Sequence, residues 1–235
     1  MKLINKRIIT MSLVTLSLLL LWWCATNPQG KSLSQNQSPE YVVDKSDILD
    51  TNNITILSTW ELSDQEISGL VQMREEEKLA RDVYTTLGTL WWNKIFTNIA
   101  QSEQTHTDAV KVLLTHYNIT DPVIDDTVGL FSSPTIQKLY TDLVAQGSIS
   151  LLNALMVGAT VEDLDIKDLN VLTQETTNGN IINIYNNLNK WSRNHLRAYV
   201  KNIKNKGDEY TPQYISQSEY TAIIWSSQER GIAWN

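Results

Sequence analysis

Phe96, Ile99, Glu103, His106, Val110, Leu113 and Tyr117 follow one another in steps of three and four. Such a series lies along one face of an α-helix. The same spacing runs through Leu70, Met73, Glu77, Ala80, Tyr84 and Leu87. It recurs in Leu151, Leu155, Gly158, Glu162, Asp165 and Leu169, and again in Ile181, Ile184, Leu188, Trp191 or Ser192, His195 and Tyr199. Apolar stripes of this length must be buried against one another. Each also carries a carboxylate or an imidazole near its middle. That pattern constrains the chain to a helical bundle with a polar layer inside it.

The intervening segments agree. Only nine Gly and five Pro among 235 residues argue against a sandwich or barrel full of tight turns. Ser63 followed by Glu66 is a capping-box start for the first helix, and Gly88 is its expected stop. The second helix is expected at about residues 92–117. A short connecting helix is read in "SSPTIQKLYTDLVAQG", with Ser133 as cap and Pro134 in the first turn. Two further long helices are placed at about 149–168 and 180–206, and the aromatic-rich remainder forms a small C-terminal appendage. The expected fold is all-α: an antiparallel four-helix bundle with a crossover connection, occupying residues 60–235.

The N-terminal portion has a different character. Lys2, Lys6 and Arg7 precede an apolar run over residues 8–23, which closes at Cys24. This is the shape of an export signal. Three readings are compatible with it: a lipoprotein with Cys24 as the lipidated first mature residue, an uncleaved membrane anchor, or a secreted protein cleaved elsewhere. All three put the folded part outside the cytoplasm. Residues 25–59, rich in Asn, Gln, Ser, Thr and Asp, read as a flexible linker. A single cysteine excludes an intrachain disulfide and a cysteine-based zinc or iron–sulfur site. The net charge of −7 excludes sequence-independent nucleic-acid binding, which depends on basic residues at phosphates.

The polar residues of the stripes carry the chemistry. A lone Glu-x-x-His on a helix is ordinarily a solvated pair. Recurrence on four stripes is a different matter. Glu77, Glu103, Glu162 and Asp165 would bring four like charges into one layer, and His106 and His195 can offset two at most. Two divalent or trivalent cations would offset all of them. Carboxylate oxygen with imidazole nitrogen suits iron, with manganese as the second fit. The three-residue spacing of Glu103 and His106 puts both side chains on one helical face.

At this point the residues resemble a ferritin-like protein of the rubrerythrin kind. "EKLARDVY" is similar to that group's Glu-x-x-Ala-Arg-x-x-Tyr, with Glu77, Ala80, Arg81 and Tyr84 at the matching spacings. "IAQSEQTHTDAV" resembles its second-helix Glu-x-x-His. Together with "VGATVEDLDIKDL" and "SRNHLRAYV", these blocks are closer still to the ferritin-like domain of unknown function 2202, over about residues 65–225. The resemblance implies Glu77 and Glu162 as terminal metal ligands, Glu103 as a bridge, His106 and His195 as caps, and Asp165 as a further ligand. It departs at Ser192, where a second Glu-x-x-His would begin. Both a di-iron and a mononuclear site stay open.

The activity implied is that of an iron oxidase or peroxidase, with Tyr84 beside the centre and Arg81 and Arg197 orienting its carboxylates. Without cysteine pairs for a built-in electron-transfer centre, turnover would need an external reductant. The expected partners are metal ions, the membrane through the N-terminal segment, and a second copy of the chain as a homodimer. A metal-binding or storage module without turnover, and a purely structural bundle, are the competing readings.

Overall fold

The computed structural model describes residues 61–230. The export-type segment, Cys24 and the linker lie outside the described residues. Among those described there are six helices and no strand: α1 (Asp64–Trp91), α2 (Lys94–His116), α3 (Pro134–Gly147), α4 (Leu151–Gln174), α5 (Gly179–Asn205) and α6 (Gln217–Trp225). None of these helices is long and apolar enough to cross a membrane.

Polar caps set the helix starts. Ser63 accepts from the Glu66 amide, and the Glu66 carboxylate accepts from the Ser63 amide at 2.9 Å. Asn93, Ser133, Ser150, Asn178 and Ser216 open the other five helices in the same manner, each accepting from an amide of the first turn. The expected stop at Gly88 is corrected. α1 runs through it to Trp91, and Trp92 takes the left-handed cap at φ 49°. Gly88 serves close approach instead: a Cβ there would stand 3.2 Å from Phe96 Cβ and Thr97 Cγ2 of α2. The third long helix also extends past its expected end at 168 to Gln174, because Leu169 and Leu172 are buried in the core.

Residue contacts fix how the helices run. Gly88 faces Phe96, Arg81 bonds Gln104 and Arg74 bonds Thr107, so α1 and α2 are antiparallel. Tyr84 meets Glu162 and Gly69 meets Leu172, so α1 and α4 are antiparallel as well. The helices α2 and α4 therefore run in the same direction, and the segment joining them has to return along the bundle. That segment contains α3, which seats Leu139 and Leu143 in the core. α5 pairs antiparallel with α4, through Gly158 against Tyr199 and Asn170 against Asn189.

The apolar core comes in two parts. One gathers Tyr84, Leu87, Phe96, Ile99, Leu155 and Tyr199. The other gathers Leu70, Met73, Val110, Leu113, Leu169 and Leu188. On every stripe the residues between these two parts are the polar ones.

The run "REEEKLARD" of α1 is not a solvated face. Asp82, fully buried, accepts from Lys78 Nζ at 2.6 Å, from Arg81 Nε at 2.8 Å and from the Gly129 amide at 2.9 Å. Lys78 also donates to the carbonyls of Thr127 and Leu130, which ties the returning segment to α1. Arg81 spends its remaining donors on Gln104 and Asp126. Arg197 binds Glu229, Asn194 and Ser226, and so holds the C-terminal segment. Neither arginine orients the polar layer.

Breaking a buried ion pair strands its partner charge, whereas an exposed pair contributes little. Asp82→Asn is therefore expected to lower unfolding stability by about 3–5 kcal/mol in urea melts. Asp142→Asn, which removes the partner of exposed Lys138, is expected to cost less than about 1 kcal/mol.

Candidate metal centre

Glu77 comes from α1, Glu103 and His106 from α2, Glu162 from α4 and His195 from α5. All five are at most 2% exposed. Their donor atoms form two groups. Glu77, Glu103 and His106 offer ligand atoms within 4.8 Å of one another, and so do Glu103, Glu162 and His195. Glu103 belongs to both. One of its oxygens lies 2.6 Å from His106 Nδ1 and the other 2.8 Å from His195 Nδ1. Glu77 Oε2 stands 3.3 Å from His106 Nδ1, and Glu162 Oε2 stands 3.5 Å from His195 Nδ1. The imidazoles stack at 5.6 Å with 20° between their planes, one to each side of the Glu103 carboxylate.

At these distances the carboxylates and imidazoles meet as buried ion pairs. Glu77 Oε1, Glu103 Oε1 and His106 Nδ1 are buried without a hydrogen-bond partner. Buried polar atoms are ordinarily satisfied, so lone pairs aimed at shared points are what a cation site requires. The donor set, three carboxylates and two imidazoles, suits iron or manganese. The outer contacts point the same way. Ser102 Oγ lies 3.2 Å from His106 Nε2, and a proton on that nitrogen leaves Nδ1 facing Glu103 as an acceptor. Tyr84 donates to Glu162 Oε1 at 2.7 Å.

Asp165 stands apart from both groups. It keeps partial exposure, and the Ser192 hydroxyl lies within hydrogen-bond reach of both its carboxyl and the Leu188 carbonyl, with one proton to share between them. The carboxylate beside position 192 thus comes from α4 rather than α5. Two neighbours escaped the sequence reading. Glu76, three residues from Met73 and four from Ala80, is 8% exposed. Asp163 is fully buried and accepts from the amides of Gln213, Tyr214 and Ile215, fastening the C-terminal segment. Both stand at helical spacing from buried neighbours, Glu76 between Met73 and Ala80 and Asp163 between Ala159 and Ile166, and that spacing is the local signal that marks them.

The profile of the family described as an uncharacterized protein domain, DUF2202, matches residues 66–227. The chain belongs to that family. It is similar to the uncharacterized protein MJ0754 of Methanocaldococcus jannaschii, with 55% identity over 179 residues, 76% of this chain and 97% of that relative. Its fold is also similar to the crystal structure of the hypothetical protein MJ0754, with a TM-score of 0.72 over 74% of this chain and 99% of the other. Every residue of the polar layer falls inside the DUF2202 match.

Charge balance inside the layer shifts its protons. Burial pushes the Glu103 carboxyl up, but the charges of His195 and His106 outweigh it and hold the group well below the usual carboxylate range. Burial raises Glu77 to about 7 against the pull of His106, and raises Glu162 against that of His195. Burial lowers the imidazoles, yet Glu103 and Glu162 lift His195 to about 9, and Glu103 with Glu77 lifts His106 well above its ordinary value.

The folded, metal-free chain therefore keeps protons on Glu77 and His195 that the unfolded chain releases near 4.5 and 6.5. Stability falls with rising pH wherever the folded state binds more protons. In chelator-treated protein the melting temperature is expected to decline from about pH 6 to about pH 9, and to decline less with metal bound, since cations then replace the lost protons. A melting temperature that rises across this range would contradict the assignment.

Proposed function

We propose that the chain is a ferritin-like, extracytoplasmic metal-binding protein that holds two metal ions, iron above all, for reaction with oxygen or peroxide. The observation that carries the reading is Glu103 shared between two three-donor groups, each completed by one carboxylate and one imidazole. Two antiparallel helix pairs, with a connection that returns along the bundle between them, support the ferritin-like part. The extracytoplasmic part rests on the segment over residues 1–24 alone.

Bound iron would supply electrons to the oxidant, and regeneration would draw on an external reductant. The protein's share is arrangement. Glu103 would hold both ions, Glu77 with His106 one of them, and Glu162 with His195 the other. Two apolar core halves exclude bulk water from the layer. The Tyr84 hydroxyl fixes one Glu162 oxygen and leaves the other toward His195. Removing such an outer contact typically costs about 10–100-fold in metal affinity. Tyr84→Phe is therefore expected to weaken binding by about tenfold or more in competition with a coloured chelator.

The test is elemental analysis of the purified chain after anaerobic ferrous loading and desalting. About two irons per chain are expected, with both lost in Glu103→Ala. No iron, and no manganese or zinc in its place, would refute the proposal. Ser192, where a second bridging carboxylate would begin, favours a second reading, a binding module without turnover. Oxygen and peroxide consumption by the ferrous-loaded chain separates the two.

A further inference from the structure

A small cavity of about 20 Å³, enough for about one water, opens between α1, α4 and α3 beside the polar layer. Leu139 and Leu143 of α3 roof it. No lysine or arginine lines it, whereas Glu76, Glu77, Glu103, Glu162 and Asp165 all do. These carboxylates are graded by exposure. Asp165 is partly open to solvent, Glu76 is 8% exposed, and Glu77 and Glu103 are each at 2%.

Glu76 has no part in the two donor groups, yet its burial calls for a partner. Gln72 donates to Oε1 at 3.0 Å, while Oε2 is buried in the cavity wall without a hydrogen-bond partner. Ser192 holds Asp165 on the same cavity. A buried carboxylate oxygen without a hydrogen-bond partner is costly unless a proton or a cation satisfies it. The residue chemistry here, oxygen only and without nitrogen, would hold a cation more weakly than the imidazole-bearing groups beyond.

We propose that Glu76 and Asp165 form a loading site, at which a divalent transition-metal cation sheds water and waits before passing inward to Glu77 and Glu103. The inference rests on the reading of the polar layer as a metal centre, and adds to it the route by which that centre fills. A cleft lined by one sign of charge raises counter-ion on-rates by about 10–10³-fold. Removal of a carboxylate oxygen from this path should therefore slow filling.

Cobalt(II) uptake by the full-length chain, followed anaerobically by the ligand-field absorption in a stopped-flow instrument, tests this. Glu76→Gln is expected to fill about tenfold more slowly than the parent and to reach the same cobalt content, with Glu76→Asp restoring most of the rate. Asp165→Asn should slow filling likewise. Glu209→Gln, which removes an exposed charge away from the cavity, should leave the rate alone. Parent-like rates in both Glu76→Gln and Asp165→Asn would overturn the loading site while leaving the centre standing. A lower cobalt content in Glu76→Gln would make Glu76 a resident ligand and equally overturn it. Failure of the parent to bind cobalt would instead remove the metal centre itself.

Discussion

The arrangement of this protein depends on electroneutrality inside one buried layer. Three carboxylates and two imidazoles meet between two apolar half-cores, where no bulk water screens them. Isolated ions in such a place would cost several kcal/mol each, so the layer is tolerable only when protons or cations balance it. In the metal-free chain the balance is struck with protons, held on Glu77 and on both imidazoles. Glu103 lies at the centre of that balance, because it alone faces both histidines at close range. Every donor of the layer is carried by a helix.

Other buried charges keep those helices in place. The Lys78–Asp82–Arg81 cluster binds the returning segment to α1, directly beside the turn that carries Glu77. Asp163, one residue from Glu162, captures three amides of the C-terminal segment. Arg193 and Arg197 grip Glu229 from the helix that bears His195. Each donor-bearing helix except α2 thus has an ionic anchor within a turn or so of its ligand. On α2, Thr107 does comparable work through its contact with Arg74 of α1, while Ser102 holds the His106 ring within the helix.

What the sequence revealed, and what it hid, follows from the range of the interactions. The stripes were legible because burial repeats every three or four residues, and Leu70, Met73, Glu77, Tyr84 and Leu87 are all buried as that period requires. The gap at Ser192 was legible too, since Glu-x-x-His is a local spacing. Gly88 misled because a glycine that ends a helix and one that admits a neighbouring helix look alike until Phe96 and Thr97 are in place. The burial of Lys78 and Asp82 has no mark in the sequence, because their remaining partners, Thr127, Gly129 and Leu130, lie more than forty residues away in the chain. The spacing of Glu76 from Met73 and Ala80 does mark it, but the roof over it is supplied by α3, not by its own helix.

The central claim is that one carboxylate, Glu103, is shared by two cations. Crystals of the iron-loaded chain, measured at the iron absorption edge, test it most directly. Two anomalous peaks about 3.5–4 Å apart are predicted, one beside His106 and one beside His195, with Glu103 between them. A single peak, or peaks remote from Glu103, would contradict the account.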